Sequence, residues 1–515
     1  MTSDQAIRIH NITKTFGPVC ANKNVCLDVY RGEILALLGE NGSGKTTLMN
    51  MLSGIYFPDS GEIFINNKAV DIRSPKDAYA LGIGMIHQHY MLVEVMSAAE
   101  NIVLGLPGST RMNRAAIADK VLKISEKYGF VIDPYKKIYT MSVSEKQTVE
   151  IIKALYRGAQ FLILDEPTAV LTPQETEKLF DILRKMKQDG KAVIIITHKL
   201  EEVLAISDRV SILRKGECVG TVDTSEATVQ SLTEAMVGRA VSLSINREEP
   251  VNTADRLIVS GLTCLDTNGR KTLDNISFTL KGGEILGVAG VAGSGQKELC
   301  ESLIGLQAVA GGHIVYMDEN EKRTELAGLT PAAMAAAGIR IAFVPEDRLG
   351  MGLVGNLDMV DNMMLKSYRS AKGFMADRKT PRALAESLID RLEIITPGTA
   401  APVRRLSGGN IQKVLLGREI ESGPLVLIAA YPVRGLDINS SYTVYGLLNE
   451  QKKKGVAVLF IGEDLDVLLE LCDRVLVLCG GRVSGIADAR TVTREEIGLM
   501  MTHVSDSAPR EEEPA

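Results

Sequence analysis

Short unbroken apolar runs alternate along this chain with longer stretches in which apolar residues recur every three or four positions. Runs at Ile34–Leu38, 161–164, Ala192–Thr197, 425–428 and 456–461 have strand length and no polar face. Such runs predict strands buried on both sides, which is the habit of a parallel sheet covered by helices. Helical periodicity follows at 46–52, Pro173–Gln188 and 440–454, and over broader regions at roughly 95–157 and 360–420. Shorter stretches at 7–12, 25–30, 61–65, 257–262, 276–280 and 312–316 read as additional strands. The predicted fold class is therefore α/β.

The pattern is written twice. GEILALLGENGSGKTTLMNMLSG at 32–54 returns as GEILGVAGVAGSGQKELCESLIG at 283–305, and DRVSILRKGECVG at 208–220 returns as DRVLVLCGGRVSG at 473–485. A chain of 515 residues suits two or three domains, and the repeat predicts two copies of one. We expect domains at 1–240 and 257–503, a polar aperiodic linker at 241–256, and a disordered acidic tail at 504–515.

Composition narrows the partners. With 45% hydrophobic residues, 24% charged and a net charge of −6, the chain has material for large cores but no basic field for a phosphate backbone, so no nucleic-acid partner is expected. No apolar run approaches the roughly 18 residues of a membrane span, and the start, MTSDQAIRIH, has no apolar leader. The seven cysteines form no C-x-x-C pair and are expected to be reduced and mostly buried, as in a cytosolic protein.

Candidate chemistry sits at the ends of the apolar runs. Gly39, Glu40, Asn41, Gly42, Ser43, Gly44, Lys45 and Thr46 fit G-x-x-x-x-G-K-[ST] between a strand and a helix. Glycines let the backbone wrap an anion, Lys45 reaches the β/γ-phosphates, and the Thr46 hydroxyl is a ligand for Mg²⁺. The run at 161–164 ends in Asp165 and Glu166, acids delivered where α/β sheets bind ligands. Asp165 suits Mg²⁺ and its waters; Glu166 suits orientation or deprotonation of an attacking water. A second run ends in His198, a candidate γ-phosphate contact.

The ordered set GENGSGKT, Gln88, MSVSEKQ (141–147), LILDEPT (162–168), THKLEE (197–202) and LSGGN (406–410) closely resembles the ATP-binding cassette ATPases, over nearly all of both halves. That resemblance implies two tandem P-loop NTPase domains, each with a mainly parallel sheet core, an antiparallel β subdomain and a helical subdomain. It implies ATP and Mg²⁺ as cofactors and a role for Gln88 in contacting Mg²⁺ and sensing membrane subunits. Phe16 becomes an adenine-stacking residue, with a core phenylalanine as the open alternative. Ser407, Gly408 and Gly409 become the signature that caps the γ-phosphate held by the opposite domain. Duplication without spanning segments resembles the ATPase subunits of simple-sugar and nucleoside importers. The implied partners are two integral-membrane permeases and an extracytoplasmic substrate-binding lipoprotein, and the implied place is the cytoplasmic face of the membrane. A soluble two-cassette factor acting on ribosomes is the alternative. It fits less well, because such factors keep both sites intact and carry a long charged linker.

The second copy departs at the chemical positions. Gln296 stands where Lys45 does, with Lys297 one place late; Ala430 and Tyr431 replace Asp165 and Glu166, and Glu463 replaces His198. A charge about 4 Å from phosphate is worth about 4 kcal/mol at an effective dielectric near 20, and a general base about 10²–10⁴ in rate. The second copy is therefore not expected to hydrolyse well. In the first copy's own signature, Val143 and Ser144 take the places of the two glycines. If the copies pack head to tail, the defects of both fall in one site, leaving one intact and one degenerate.

Overall fold

The computed structural model describes residues 5–17, 19–87, 90–106, 113–169, 171–238, 245, 247–250, 253–368 and 377–502. The expected tail at 504–515 lies outside these residues. The chain divides into two compact units, Met1–Ser242 and Leu243–Ala515.

In the first unit a six-stranded sheet runs in the order Glu217–Asp223, Arg209–Arg214, Ile34–Leu38, Ala192–Thr197, Phe161–Asp165, Ile83–Ile86. Its first pair is antiparallel and the rest are parallel. A separate four-stranded antiparallel sheet has the order Val19–Tyr30, Gln5–Phe16, Ser60–Ile65, Lys68–Val70. The second unit repeats both sheets: Ile341–Val344, Val426–Ala430, Ala457–Ile461, Ile285–Gly290, Arg474–Cys479, Arg482–Asp488 in one, and Lys271–Lys281, Asp255–Leu265, Val309–Met317, Arg323–Glu325 in the other.

The apolar runs are unbroken because each central strand separates two cores. Leu35, Leu37, Ile163, Ile194 and Ile196 face the antiparallel sheet and pack with Ile7 and Ile9. Their alternates Ile34, Leu162, Leu164, Val193 and Ile195 pack with Val149, Ile152 and Leu183 of the helices. Each such side chain removed from water contributes about 1.5–3 kcal/mol, so both faces are held.

Local chemistry sets the helix limits. Pro173–Gln188 starts on a capping box between Thr172 and Glu175, with proline in the first turn where its missing N–H costs nothing. Ile438–Lys453 begins earlier than the periodicity predicts because Asp437 accepts the Ser440 N–H. The region at 95–157 divides into Ala98–Val103, Arg114–Tyr128 and Val143–Tyr156, the first and last each begun by a Ser–Glu capping box. The strands of the antiparallel sheet are longer than the alternating stretches indicate: Gln5–Phe16 pairs through several register shifts, and these break the alternation that a sequence pattern detects.

The described part of the expected linker bonds the second unit. Arg247 donates to the carbonyls of Leu469 (2.8 Å) and Cys472 (2.6 Å), and Arg490 pairs with Glu249 at 2.6 Å. All seven cysteines are free, but burial is less general than expected: Cys264, Cys300 and Cys472 are buried, while Cys20 and Cys26 are exposed. Among the described residues no helix is long and apolar enough to cross a membrane.

Candidate nucleotide site

The central strand Ile34–Leu38 runs straight into the glycine-rich loop, which closes on Gly44 at φ 97° as the helix Lys45–Leu52 begins. A Cβ on Gly39 would lie 2.3 Å from the Leu213 carbonyl, and one on Gly44 would lie 2.3 Å from that of Ala21, so neither position tolerates a side chain. The Lys45 side chain folds back over the loop. Its ammonium donates to the carbonyls of Gly39 (2.6 Å) and Glu40 (2.9 Å). Burial pulls its pKa down, and the charges of Glu166, Asp165 and Glu40 oppose that pull.

The adjacent strand Phe161–Asp165 brings Asp165 against the loop helix, where its Oδ2 accepts the Thr46 hydroxyl at 3.3 Å. Burial first, and then the neighbouring Glu166 charge, push the Asp165 pKa up to about 6. A hydroxyl and a carboxylate side by side are hard oxygen donors of the kind Mg²⁺ takes, with phosphate and water as its other ligands. These residues fit that ion.

Glu166 sits in the left-handed region at φ 47°, its N–H bonded to the Ile196 carbonyl at 2.8 Å. That turn aims the carboxylate at His198, whose Nδ1 lies 2.9 Å from Oε1. A carboxylate only accepts, so Nδ1 carries the proton. This bond holds the Glu166 pKa below the usual range and keeps the group ionised at neutral pH. The segment after Glu166 is tied to the start of the helix Leu200–Ile206: Thr168 donates to Glu202, and Lys199 bonds both the Thr168 carbonyl (3.2 Å) and Glu202 (3.0 Å).

Comparison with known proteins decides the family. The ABC transporter family profile matches residues 22–169 and 273–432, more than half of the chain. This chain belongs to the ABC transporter family. It is 42% identical to a guanosine import ATP-binding protein of Bacillus subtilis, over 97% of this chain and 97% of that protein. It is 39% identical to a glucose import ATP-binding protein of Haloferax volcanii (98% and 97%) and 37% identical to a ribose import ATP-binding protein of Streptomyces avermitilis (98% and 95%). Like these ABC proteins it is an ATPase built of two fused cassettes.

Within this ABC chain the second cassette keeps the backbone of the site and changes its chemistry. Gly295 takes φ 102° ahead of the helix Gln296–Leu303, and Tyr431 repeats φ 47° with its N–H on the Ile461 carbonyl at 2.9 Å. Gln296 is buried in the loop and donates to the Val291 carbonyl at 3.1 Å. Lys297 points away, three-quarters exposed, 3.8 Å from Glu301. Glu463 bonds Arg434 at 3.1 Å, and the same guanidinium also bonds Glu346. Glu346 stands two residues past the strand Ile341–Val344, as Gln88 stands two past Ile83–Ile86. Arg434 thus clamps the residues at the places of Gln88 and His198.

The two signatures also differ. Ser407 caps Gly408–Glu421 and receives the Asn410 amide at 2.9 Å, so the start of that helix carries no acid. Ser142 caps Val143–Tyr156, but there the third helical residue is Glu145, whose carboxylate takes the Ser142 N–H at 2.8 Å and pairs with Lys136 at 2.6 Å, so an acid and its counter-ion stand at that helix start. Gly409 has a packing reason as well, since a Cβ there would lie 2.7 Å from the Ser440 hydroxyl.

The structure therefore brings together Gly39–Thr46, Asp165, Glu166 and His198. Phe16 ends its strand 42% exposed, edge-on to Tyr56 at 5.1 Å, and is not a core residue. Gln88 lies outside the described residues. Ser407, Gly408 and Gly409 belong to the second unit. Sequence reasoning passed over Glu202 and Lys199 as partners of Thr168, although both lie within THKLEE, and it passed over Asn22 beneath the loop.

Proposed function

We propose that this protein is the ATP-hydrolysing subunit of an importer for a nucleoside or simple sugar, and that hydrolysis takes place on the first unit. The relatives named for guanosine, glucose and ribose import support that substrate range. The observation that carries the site assignment is the contrast at one repeated turn, where Glu166 meets His198 while Tyr431 stands beside an Arg434 clamp. In our reading the backbone of Gly39–Gly44 cradles the phosphates, and Lys45 leaves its carbonyl partners to neutralise them. Ionised Glu166 orients the attacking water and takes its proton, with His198 holding the carboxylate and facing the terminal phosphate. Mg²⁺, held by Thr46 and Asp165 with Gln88 near it, would supply charge neutralisation between the phosphates. Phe16 stacks the base. Ser407, Gly408 and Gly409 cap the nucleotide as the acid-free signature, whereas the Glu145-capped first signature serves the site that does not turn over.

The chain would act at the cytoplasmic face of the membrane with two permease subunits and an extracytoplasmic binding lipoprotein, where closing and reopening of the cassettes moves the permeases. The ribosome-factor alternative finds no support among relatives named for import. The test is phosphate release by the assembled transporter. Glu166→Gln should lower turnover by about 10²–10⁴, and Tyr431→Phe should leave it within about twofold. Retained turnover in Glu166→Gln would defeat the proposal.

A further inference from the structure

Beneath the first loop lies a polar residue with no counterpart in the second unit. Asn22 is fully buried, its Nδ2 donates to the Gly44 carbonyl at 3.2 Å, and its Oδ1 finds no hydrogen-bond partner among the described residues. At the matching place under Gly295 stands Leu273, also fully buried, in the apolar core. The surrounding frame is otherwise the same. Gly216 N–H bonds the Ser43 carbonyl at 3.1 Å and Lys23 N–H bonds that of Gly216 at 2.8 Å; Gly481 to Ser294 and Asp274 to Gly481 repeat both distances. The first carbonyl of each loop helix also takes its helical partner at 2.9 Å, Leu48 N–H on Gly44 and Leu299 N–H on Gly295.

So the second unit builds this corner of the fold with a leucine, and the asparagine is not needed to build it. A buried oxygen without a donor is a standing cost to stability. Its companion Nδ2 adds a second donor to a carbonyl whose peptide also carries the Lys45 N–H. In a trans peptide the C=O and N–H point oppositely, so a carbonyl held towards Asn22 aims that N–H at the interior of the loop. A carbonyl with two donors polarises its peptide and makes the N–H a stronger donor to an anion.

We propose that Asn22 is a positioning residue of the phosphate loop, fixing and polarising the Gly44–Lys45 peptide for nucleotide at the expense of stability. This rests on the assignment of Gly39–Thr46 to the phosphates. The expected signature is opposite movement of two measurements that a merely structural residue would move together.

The experiment uses the full chain and compares wild type, Asn22→Leu, Asn22→Asp and Lys45→Ala. It measures thermal unfolding without nucleotide and equilibrium binding of ATP with Mg²⁺. Asn22→Leu should melt at or above the wild-type temperature and bind ATP about five- to tenfold more weakly, the scale of one ordinary hydrogen bond. Asn22→Asp, equal in size but without the donor, should bind at least as weakly. Unchanged ATP binding in Asn22→Leu, or a fall in melting temperature parallel to the loss of binding, overturns the inference, as does failure of that variant to fold. If Lys45→Ala also binds ATP like wild type, it is the loop assignment that has failed.

Discussion

At the residue scale, the same backbone strain serves two different side chains. Glu166 and Tyr431 both occupy φ 47°, a region that a non-glycine residue enters at a cost of order 1–3 kcal/mol. Since the second unit keeps the strain without the carboxylate, the turn belongs to the fold, and only the side chain it presents belongs to the chemistry. Asp165 shows the reverse economy. Its pKa is raised to about 6 from an ordinary 3.8, so the folded state binds its proton more tightly than the unfolded chain does. Above pH 6 the buried charge therefore destabilises the fold, and the penalty fades between pH 6 and 4. Asp165→Asn should raise the melting temperature of the nucleotide-free protein at pH 8, by up to about 3 kcal/mol of stability, with the gain shrinking as pH falls through 6. Calorimetry across that range checks it; a gain independent of pH would refute it.

At the element scale, one motif repeats for structural reasons alone. Asp208 and Asp473, which open the two DRV segments, each accept the first N–H of the strand leading into the loop, from Ile34 and Ile285, both at 2.9 Å. Each also pairs with a lysine, but Lys187 and Asp208 are both about a third exposed, whereas Lys452 and Asp473 are buried and 2.7 Å apart. Removing one member of a buried pair strands the other charge, while an exposed pair is nearly neutral. Asp473→Ala should cost about 3 kcal/mol or more and Asp208→Ala distinctly less, read by denaturant unfolding followed separately in each unit. Equal losses would show that the strand-end bond, common to both, dominates.

At the scale of the whole molecule, the chain carries two copies of one scaffold with one set of working groups. The second loop lacks its lysine, the strand end lacks both acids, and Arg434 clamps Glu346 and Glu463, the residues at the places of Gln88 and His198. Restoring one group should then restore nothing. In the assembled transporter, a Lys45→Ala/Gln296→Lys double variant should remain as inactive as Lys45→Ala alone, because the missing base and metal ligand still limit the second site. Recovery of turnover would mean that the lysine alone separates the two sites.

The sequence by itself determined the duplication, the α/β class, the loop and the two acids. Each of these is a local matter: an unbroken apolar run, a glycine spacing, or a strand ending in a carboxylate means the same thing wherever it folds. The likeness of both halves to ATP-binding cassettes was equally legible, because it rests on motifs in order. The tertiary structure decided which groups touch. Glu166 and His198 meet because the successive strands they follow, parted by one helix, pair in parallel with their ends level; Gln296 fills its loop while Lys297 turns outward. Asn22 lies under Gly44 although 22 residues separate them. None of these has a spacing rule, since burial, partner and direction of a side chain are set by what the fold packs against it.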